Sequence, residues 1–285
     1  MRVLVTGASG NVGKYVVMEL LKRDQRVLAA GTDTDRLKQM LGERVEVVKF
    51  DFLDASTFET ALTDVDRIFL MRPPHLGKPE DLYPFILAAK EKNIALMSFL
   101  SLMGVENNTI PPHHKIEKAI EKAGIPYAHI RPGFFMQNVS GIHAEEIKQL
   151  DEIWIPAGRS KTSFIDAEDI GTVIATVLAD ASMHKNTAYT ITGPEALDYD
   201  EVAQILSKVT GRRIRYKNPS FLKYRSHYIK VRKLDKGYVN VTLALYLMTR
   251  LGTAKAVTDT FFKLTGKQPK TFENFVTDHK ACFMK

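Results

Sequence analysis

The segment VLVTGASGNVG, from Val3 to Gly13, constrains this chain more than any other: an apolar run passes directly into a glycine-rich turn and then into the amphipathic stretch KYVVMELLKR. The run reads as a buried strand, and the stretch after it carries apolar residues at helical spacing. Gly7 permits a tight exit from the strand, and Gly10 lets the backbone approach a phosphate with no side chain in the way. Gly13 lets the helix pack close to the strand while its first amides face an anion. Three glycines alone are weak evidence, because turns and packing also use them. Placed at the first strand-to-helix crossing of a βαβ pattern, they meet the context that a dinucleotide fingerprint requires.

That pattern continues through the first half of the chain. Strands are expected at Arg2–Thr6, Arg26–Ala30, Val45–Lys49, Arg67–Met71, Ile94–Phe99 and Tyr127–Arg131, with helices over 12–23, 33–41, 55–62, 80–92 and 112–123. Several strands are almost wholly apolar, as they must be when helices cover both faces of a parallel sheet. The fold class is therefore α/β: a Rossmann-type doubly wound parallel sheet. After Pro132 the rhythm loosens, but a helix near 142–150, another from Asp166, a strand in AYTITG and a helix over Tyr199–Thr210 are still readable. The tail stretches LALYLMTRLG, TAKAVTDTFFKLTG and TFENFVTDHKACF have helical spacing. The expected division is a nucleotide-binding domain from 1–132 and about 166–211, with a smaller, mainly helical C-terminal lobe from about 133–165 and 212–285.

Charge is unevenly distributed. Residues 212–285 hold 17 Lys or Arg against 4 Asp or Glu, whereas residues 1–211 hold 23 against 29. The densest part, KYRSHYIKVRKLDKG from Lys223 to Gly237, raises a nucleic-acid patch, but no recognition-helix signature accompanies it and a solvated face is favoured. Residues 223–236 read either as a lid over a substrate or as a surface for an acidic partner. Cys282 is the only cysteine, which excludes an intrachain disulfide. The first apolar run is too short for a signal peptide and no stretch reaches membrane-spanning length, so a cytoplasmic protein with no membrane insertion is expected.

Selectivity between nucleotides is balanced at this level. Asp33, 20 residues after Gly13, suits a ribose hydrogen bond and would repel a 2'-phosphate, or it caps the helix TDRLKQML. Thr32 precedes it, and Arg36 offers the opposite preference or faces water. Asp51, after the third strand, suits adenine contact or local turn bonding.

The ordered set TGASGNVG, FLMRPP, SLMGVE, HHKIEKAIEKAGIPYAHIRPGFFMQN, FIDAEDIG, YTITGPEALDYDEVAQILSKVTGR and LTGKQPKTFENFVTDHKACF resembles the atypical short-chain dehydrogenase/reductases. Within them it is most similar to NmrA-like proteins and their type 2 NAD(P)H-quinone oxidoreductase relatives, over essentially the whole chain. The resemblance implies NADP(H) or NAD(H) as cofactor, with a slight preference for NADP(H). It implies pyrophosphate contacts at Gly7, Ser9, Gly10, Asn11, Val12 and Gly13, adenine contacts at Asp51 and Phe52, and a nicotinamide-side wall at Leu70, Met71 and Arg72.

The usual proton donor of this group is a tyrosine four residues before a lysine. Here His113 occupies the lysine position and Thr109 the tyrosine position, which removes ordinary carbonyl-reduction machinery. An imidazole with an unshifted pKa of about 6.5 would protonate a reduced quinone or orient the nicotinamide ribose, or it would satisfy the helix it begins. Ser101 suits a substrate hydrogen bond or a turn, and Phe134 and Phe135 suit an apolar substrate wall or core. His113 and His114 are adjacent and point apart, so no metal site is read. The expected activity is hydride transfer from NAD(P)H to a quinone or similar small electrophile. The alternative is a non-catalytic NAD(P)-sensing regulatory protein of NmrA type with a protein partner; a homodimer is left open.

Overall fold

The computed structural model describes every residue from Met1 to Lys285. Its first half runs β1 (Arg2–Thr6), α1 (Gly13–Leu21), β2 (Arg26–Gly31), α2 (Thr34–Leu41), β3 (Glu46–Lys49), α3 (Phe58–Leu62), β4 (Arg67–Met71), α4 (Tyr83–Glu91), β5 (Leu96–Leu100), α5 (Pro112–Ala123) and β6 (Tyr127–Pro132). Next come β7 (Phe134–Phe135), α6 (Gln137–Ser140), α7 (Ala144–Leu150), β8 (Glu152–Ile153), β9 (Thr162–Ile165), α8 (Ala167–Ala179) and β10 (Thr187–Ile191). The remainder is β11 (Ala196–Leu197), α9 (Tyr199–Thr210), β12 (Arg215–Tyr216), α10 (Phe221–Ser226), α11 (Lys236–Arg250), α12 (Thr260–Thr265) and α13 (Phe272–Asp278).

Contacts divide the chain into one unit of Met1–Pro132, Ala167–Ile191 and Thr260–Lys267, and another of Gly133–Asp166, Thr192–Asp259 and Gln268–Lys285. This corrects two expected boundaries. Residues 192–211 fall with the second unit, because α9 packs on α13 and β12, and residues 260–267 fall with the first, because α12 packs on α8 and β10.

The first unit is built on a seven-stranded sheet of order β10-β6-β5-β4-β1-β2-β3. Every neighbouring pair is parallel. Strand order reverses between β1 and β4, and in doubly wound sheets ligands gather at such a switch point, outside the carboxyl ends of the strands. Both faces are covered, so Val3, Leu4 and Val5 of β1 are all fully buried although they alternate between faces. One face packs against α3, α4 and α5 through an aromatic cluster in which Phe50 meets Phe52 at 4.7 Å and Phe85 at 4.9 Å between ring centroids, both edge-on. On the other face α1 and α8 pack closely together. Local signals set the element ends: Pro112 opens α5, where its missing amide costs nothing, and left-handed Gly124 closes it.

The second unit has its own core, in which Phe164 contacts Tyr199 and Phe272. Asp198 and Glu201 start α9 with a complete capping box. The basic segment is anchored here by its aromatic and charged side chains. Tyr224 and Tyr228 are fully buried and stack at 4.3 Å. Arg232 donates to both oxygens of the buried Glu146 at 2.7 Å, and His227 Nε2 lies 2.8 Å from Glu146 Oε1. Burial would raise the Glu146 pKa, but hydrogen bonds from Arg232 and His227 outweigh it and hold the carboxyl below its ordinary value.

Beyond that carboxylate sits His143, fully buried, its Nδ1 2.7 Å from Tyr228 Oη and its Nε2 against Tyr246 Oη. Burial pushes its pKa down to about 3, so the ring is neutral, with one donor and one acceptor nitrogen. Tyr228 Oη donates to Glu146 Oε2 at 3.3 Å, so it accepts from His143 Nδ1–H, and Tyr246 donates to Nε2. No helix of the chain is long and apolar enough to cross a membrane.

Candidate nucleotide-binding site

The carboxyl ends of β1 to β5 bring most of the sequence-predicted residues to one edge of the first unit. Gly7 leaves β1 in the left-handed region at φ +61°, and a Cβ there would stand 2.1 Å from Met71 Sδ. Gly10 N donates to Gly7 O at 2.9 Å, closing the turn. A Cβ on Gly13 would lie 2.1 Å from Gly7 O, so the helix approaches the strand more closely than any other residue permits. Thr6 locks this geometry to β4, its buried Oγ1 donating to Phe69 O at 3.0 Å and accepting from Met71 N at 3.1 Å.

The start of α1 suits an anion. Its N-cap, Val12, supplies no side-chain hydrogen bond and its first turn carries no acid, so no side chain competes for the first amides. Ser9 and Asn11 are exposed beside them. This cradle fits a dinucleotide pyrophosphate: Gly7, Ser9, Gly10, Asn11, Val12 and Gly13 would hold it through amides and the two polar side chains.

The outer contacts are sorted by burial. Asp33 is the N-cap of α2 and accepts from Arg36 N at 2.9 Å, so one carboxylate oxygen is committed to the helix. Thr32 and the Arg36 side chain are exposed. Asp51 Oδ1 accepts from Leu53 N at 2.9 Å, which is the local turn bonding weighed above. Phe52 and Leu70 are corrections: both side chains are buried in the core and can offer a nucleotide only main-chain groups. Met71 remains partly exposed against Gly7. Arg72 folds back on its own loop and donates to the carbonyls of Pro73 and Leu76.

His113 opens α5 with its ring 6.0 Å from that of Phe99. Burial, with the Arg72 charge nearby, pushes its pKa down to about 4, opposed by Glu117. The ring is therefore neutral near pH 7, which corrects the expected titration near 6.5. Its Nδ1 is buried and makes no hydrogen bond within the protein. A buried polar atom without a partner is costly, and a ligand would relieve it.

Ser101 is buried, and like His113 Nδ1 its Oγ makes no hydrogen bond within the protein, although it lies near enough to the Glu117 carboxylate to help hold it ionised. Glu117 receives Arg131 in a fork, Nε to Oε1 at 3.0 Å and Nη2 to Oε2 at 2.7 Å. Burial would raise Glu117, but Arg131 and Ser101 hold it below its ordinary value. His129 is buried next to this pair, 3.4 Å from Glu121, and burial pushes its pKa down to about 4. Glu117, Glu121 and His129 have ligand atoms within 4.8 Å of one another. Arg131 already engages both oxygens of Glu117, and Lys118 pairs with Glu121 at 2.7 Å, so the arrangement is an ion-pair network.

Sequence reasoning missed this network. The alternation of Tyr127, His129 and Arg131 along one face of β6, opposite Glu117 and Glu121 one turn apart on α5, was its only signal. Phe134 and Phe135 belong to the second unit, half-buried on β7, where Phe134 stacks on Tyr246 at 5.8 Å.

The model of the NmrA-like family matches residues 1–251. The chain belongs to the NmrA-like family. Among family relatives, the prestalk A differentiation protein A of Dictyostelium discoideum is 31% identical over 283 residues, 98% of this chain and 92% of that protein. The NAD(P)H azoreductase of Xenophilus azovorans is 28% identical over 287 residues, 99% of each chain. An NADPH-dependent quinone oxidoreductase from Escherichia coli, solved with NADPH, superposes with a TM-score of 0.88 at 22% identity, covering 99% of this chain and 100% of that one; this likeness is one of fold.

Proposed function

We propose that this NmrA-like protein is an NAD(P)H-dependent oxidoreductase that passes hydride to a flat, readily reduced acceptor such as a quinone. The observation that carries the reading is the pairing of an uncapped glycine-rich cradle with a neutral imidazole, His113, whose Nδ1 has no partner in the protein. The names of relatives support it, since an azoreductase and a quinone oxidoreductase act on acceptors of this kind.

The Gly7–Gly13 loop binds the pyrophosphate. Asp51 positions the adenosine half, Asp33 serves as the cap of α2, and Thr32 and the exposed Arg36 make room for a 2'-phosphate, which favours NADPH. The bound nicotinamide supplies the hydride. Met71 and Arg72 shape the wall on that side. A quinone gains aromaticity on reduction, so orientation and one hydrogen bond at the oxygen that becomes negative suffice. His113 supplies that bond as a neutral donor or fixes the ribose; it does not act as an imidazolium acid.

One observation favours the sensor reading: Thr109 and His113 stand where a catalytic tyrosine and lysine would be. Steady-state consumption of NADPH and NADH against a panel of quinones and azo dyes separates the two. Acceptor-dependent consumption supports the reductase; tight nucleotide binding with no consumption, and a protein partner retained only when nucleotide is present, would establish the sensor.

A further inference from the structure

Helix α11 buries Val239, Tyr246 and Thr249, yet its outer surface is also apolar. Tyr238, Val241, Leu245 and Met248 are exposed at three- and four-residue spacing, with Leu247 and Leu251 beside them; Val241 is 60% exposed and Leu251 69%. No charged residue lies between Lys236 and Arg250. A surface helix normally turns polar residues outward, and single exposed aliphatics need no explanation, but a continuous row of them marks a contact surface.

Cations surround this row. From residue 202 to residue 258 there are thirteen Lys or Arg and one acid, Asp235, whose carboxylate is taken by the Tyr238 amide at 2.8 Å. Arg225 Nε donates to Asn240 Oδ1 at 2.9 Å, which places a guanidinium beside Val241. Lys223, Lys230, Lys233 and Lys236 are exposed on the anchored basic segment, interspersed with Leu222 and Val231, which are also exposed.

A second copy is a poor occupant. Antiparallel pairing of two α11 helices would set Lys236 of one against Arg250 of the other, and parallel pairing would set each cation against its twin, with Asp235 the one acid nearby. Protein interfaces concentrate their energy in aromatic anchors seated in pockets. This row is mainly aliphatic, and its single aromatic, Tyr238, stands at the cationic end, where an amphipathic ring suits a headgroup layer. We propose that the outer face of α11, with the basic segment 223–236, docks on an anionic lipid bilayer and lies in its headgroup plane. The proposal stands independently of the reductase reading.

The test is co-sedimentation of the full chain with vesicles of phosphatidylcholine alone or mixed with phosphatidylglycerol, at low and high salt. The chain should sediment with the mixed vesicles only and be released by salt. Each cation near an anionic surface is worth about fivefold in affinity, so Lys230→Glu with Lys233→Glu should weaken binding at least tenfold. Leu245→Ser with Met248→Ser should weaken it as much without changing any charge, and unchanged thermal melts would show both variants folded. Failure to sediment with mixed vesicles would overturn the proposal, as would binding indifferent to Leu245 and Met248. A dimer in sedimentation velocity that Leu245→Ser dissolves would assign the face to a second copy, and tight binding of polyglutamate without vesicle binding would assign it to an acidic protein.

Discussion

Lowering the pH from about 7 to about 5 should destabilise this protein through three imidazoles that folding holds neutral. His113 and His129 are pushed down to about 4 and His143 to about 3, against an ordinary value of 6.5, in each case chiefly by burial. Between those folded values and 6.5 the unfolded chain binds protons that the folded chain refuses, so stability falls as pH drops through 6.5 and the loss levels off only near the folded values. Each imidazole then costs about 2 kcal/mol at about pH 5, and the three together about 5–6 kcal/mol, comparable with the whole stability of many domains. Glu117 and Glu146 are held below their ordinary 4.5, so their contribution is present above that value and is lost at lower pH, outside this window. Urea midpoints measured through this range check the slope, and His129→Gln should remove about a third of it whatever it does to stability at neutral pH. A midpoint that stays level across the window, or a slope indifferent to His129→Gln, would refute the argument.

Four further outcomes are expected of the first unit. Gly13→Ala puts a Cβ 2.1 Å from Gly7 O, 2.8 Å from Gly7 C and 2.9 Å from Ala8 Cα, all backbone, so it should cost at least about 2 kcal/mol and abolish NADPH binding, read by urea unfolding and by nucleotide titration. Arg131→Gln leaves the Glu117 carboxylate buried without its fork partner and should cost about 3–5 kcal/mol in thermal or urea unfolding. His113→Ala should lower acceptor-dependent turnover without a matching loss of nucleotide affinity. Because His113 is pushed to about 4, wild-type kcat/KM should show no inflection near the ordinary imidazole value of 6.5.

The fold was legible wherever local physics decides. The β1 strand was read at its observed bounds, and so was α5, which starts at a proline and ends at a glycine. Reading failed where distant partners intervene. TAKAVTDTFFKLTG has helical spacing, but only Thr260–Thr265 is helical, because Ala254 O accepts from Ser163 N at 2.7 Å and Thr258 N donates to Thr192 Oγ1 at 2.9 Å. Helix α11 begins at Lys236, seven residues ahead of the apolar run that announced it, because Asp235 caps it. The glycine loop could be placed from sequence because its role is a backbone property. Phe52 and Leu70 rest on the family resemblance and Ser101 on its place at a strand end, and neither says which way a side chain turns. The shift at His113 depends on burial and on Arg72, 41 residues away, and the His143 cluster joins residues up to 103 positions apart, so neither leaves a local mark.

Hydride transfer from bound NADPH is read by single-turnover mixing: protein in excess over NADPH, mixed rapidly with a naphthoquinone while the reduced-nicotinamide absorbance is followed. An acceptor-dependent loss far above the protein-free rate is expected, slowed when the transferred hydrogen is deuterium and absent in Gly13→Ala. A flat trace from protein shown to be saturated with NADPH, across quinones and azo dyes alike, would contradict it.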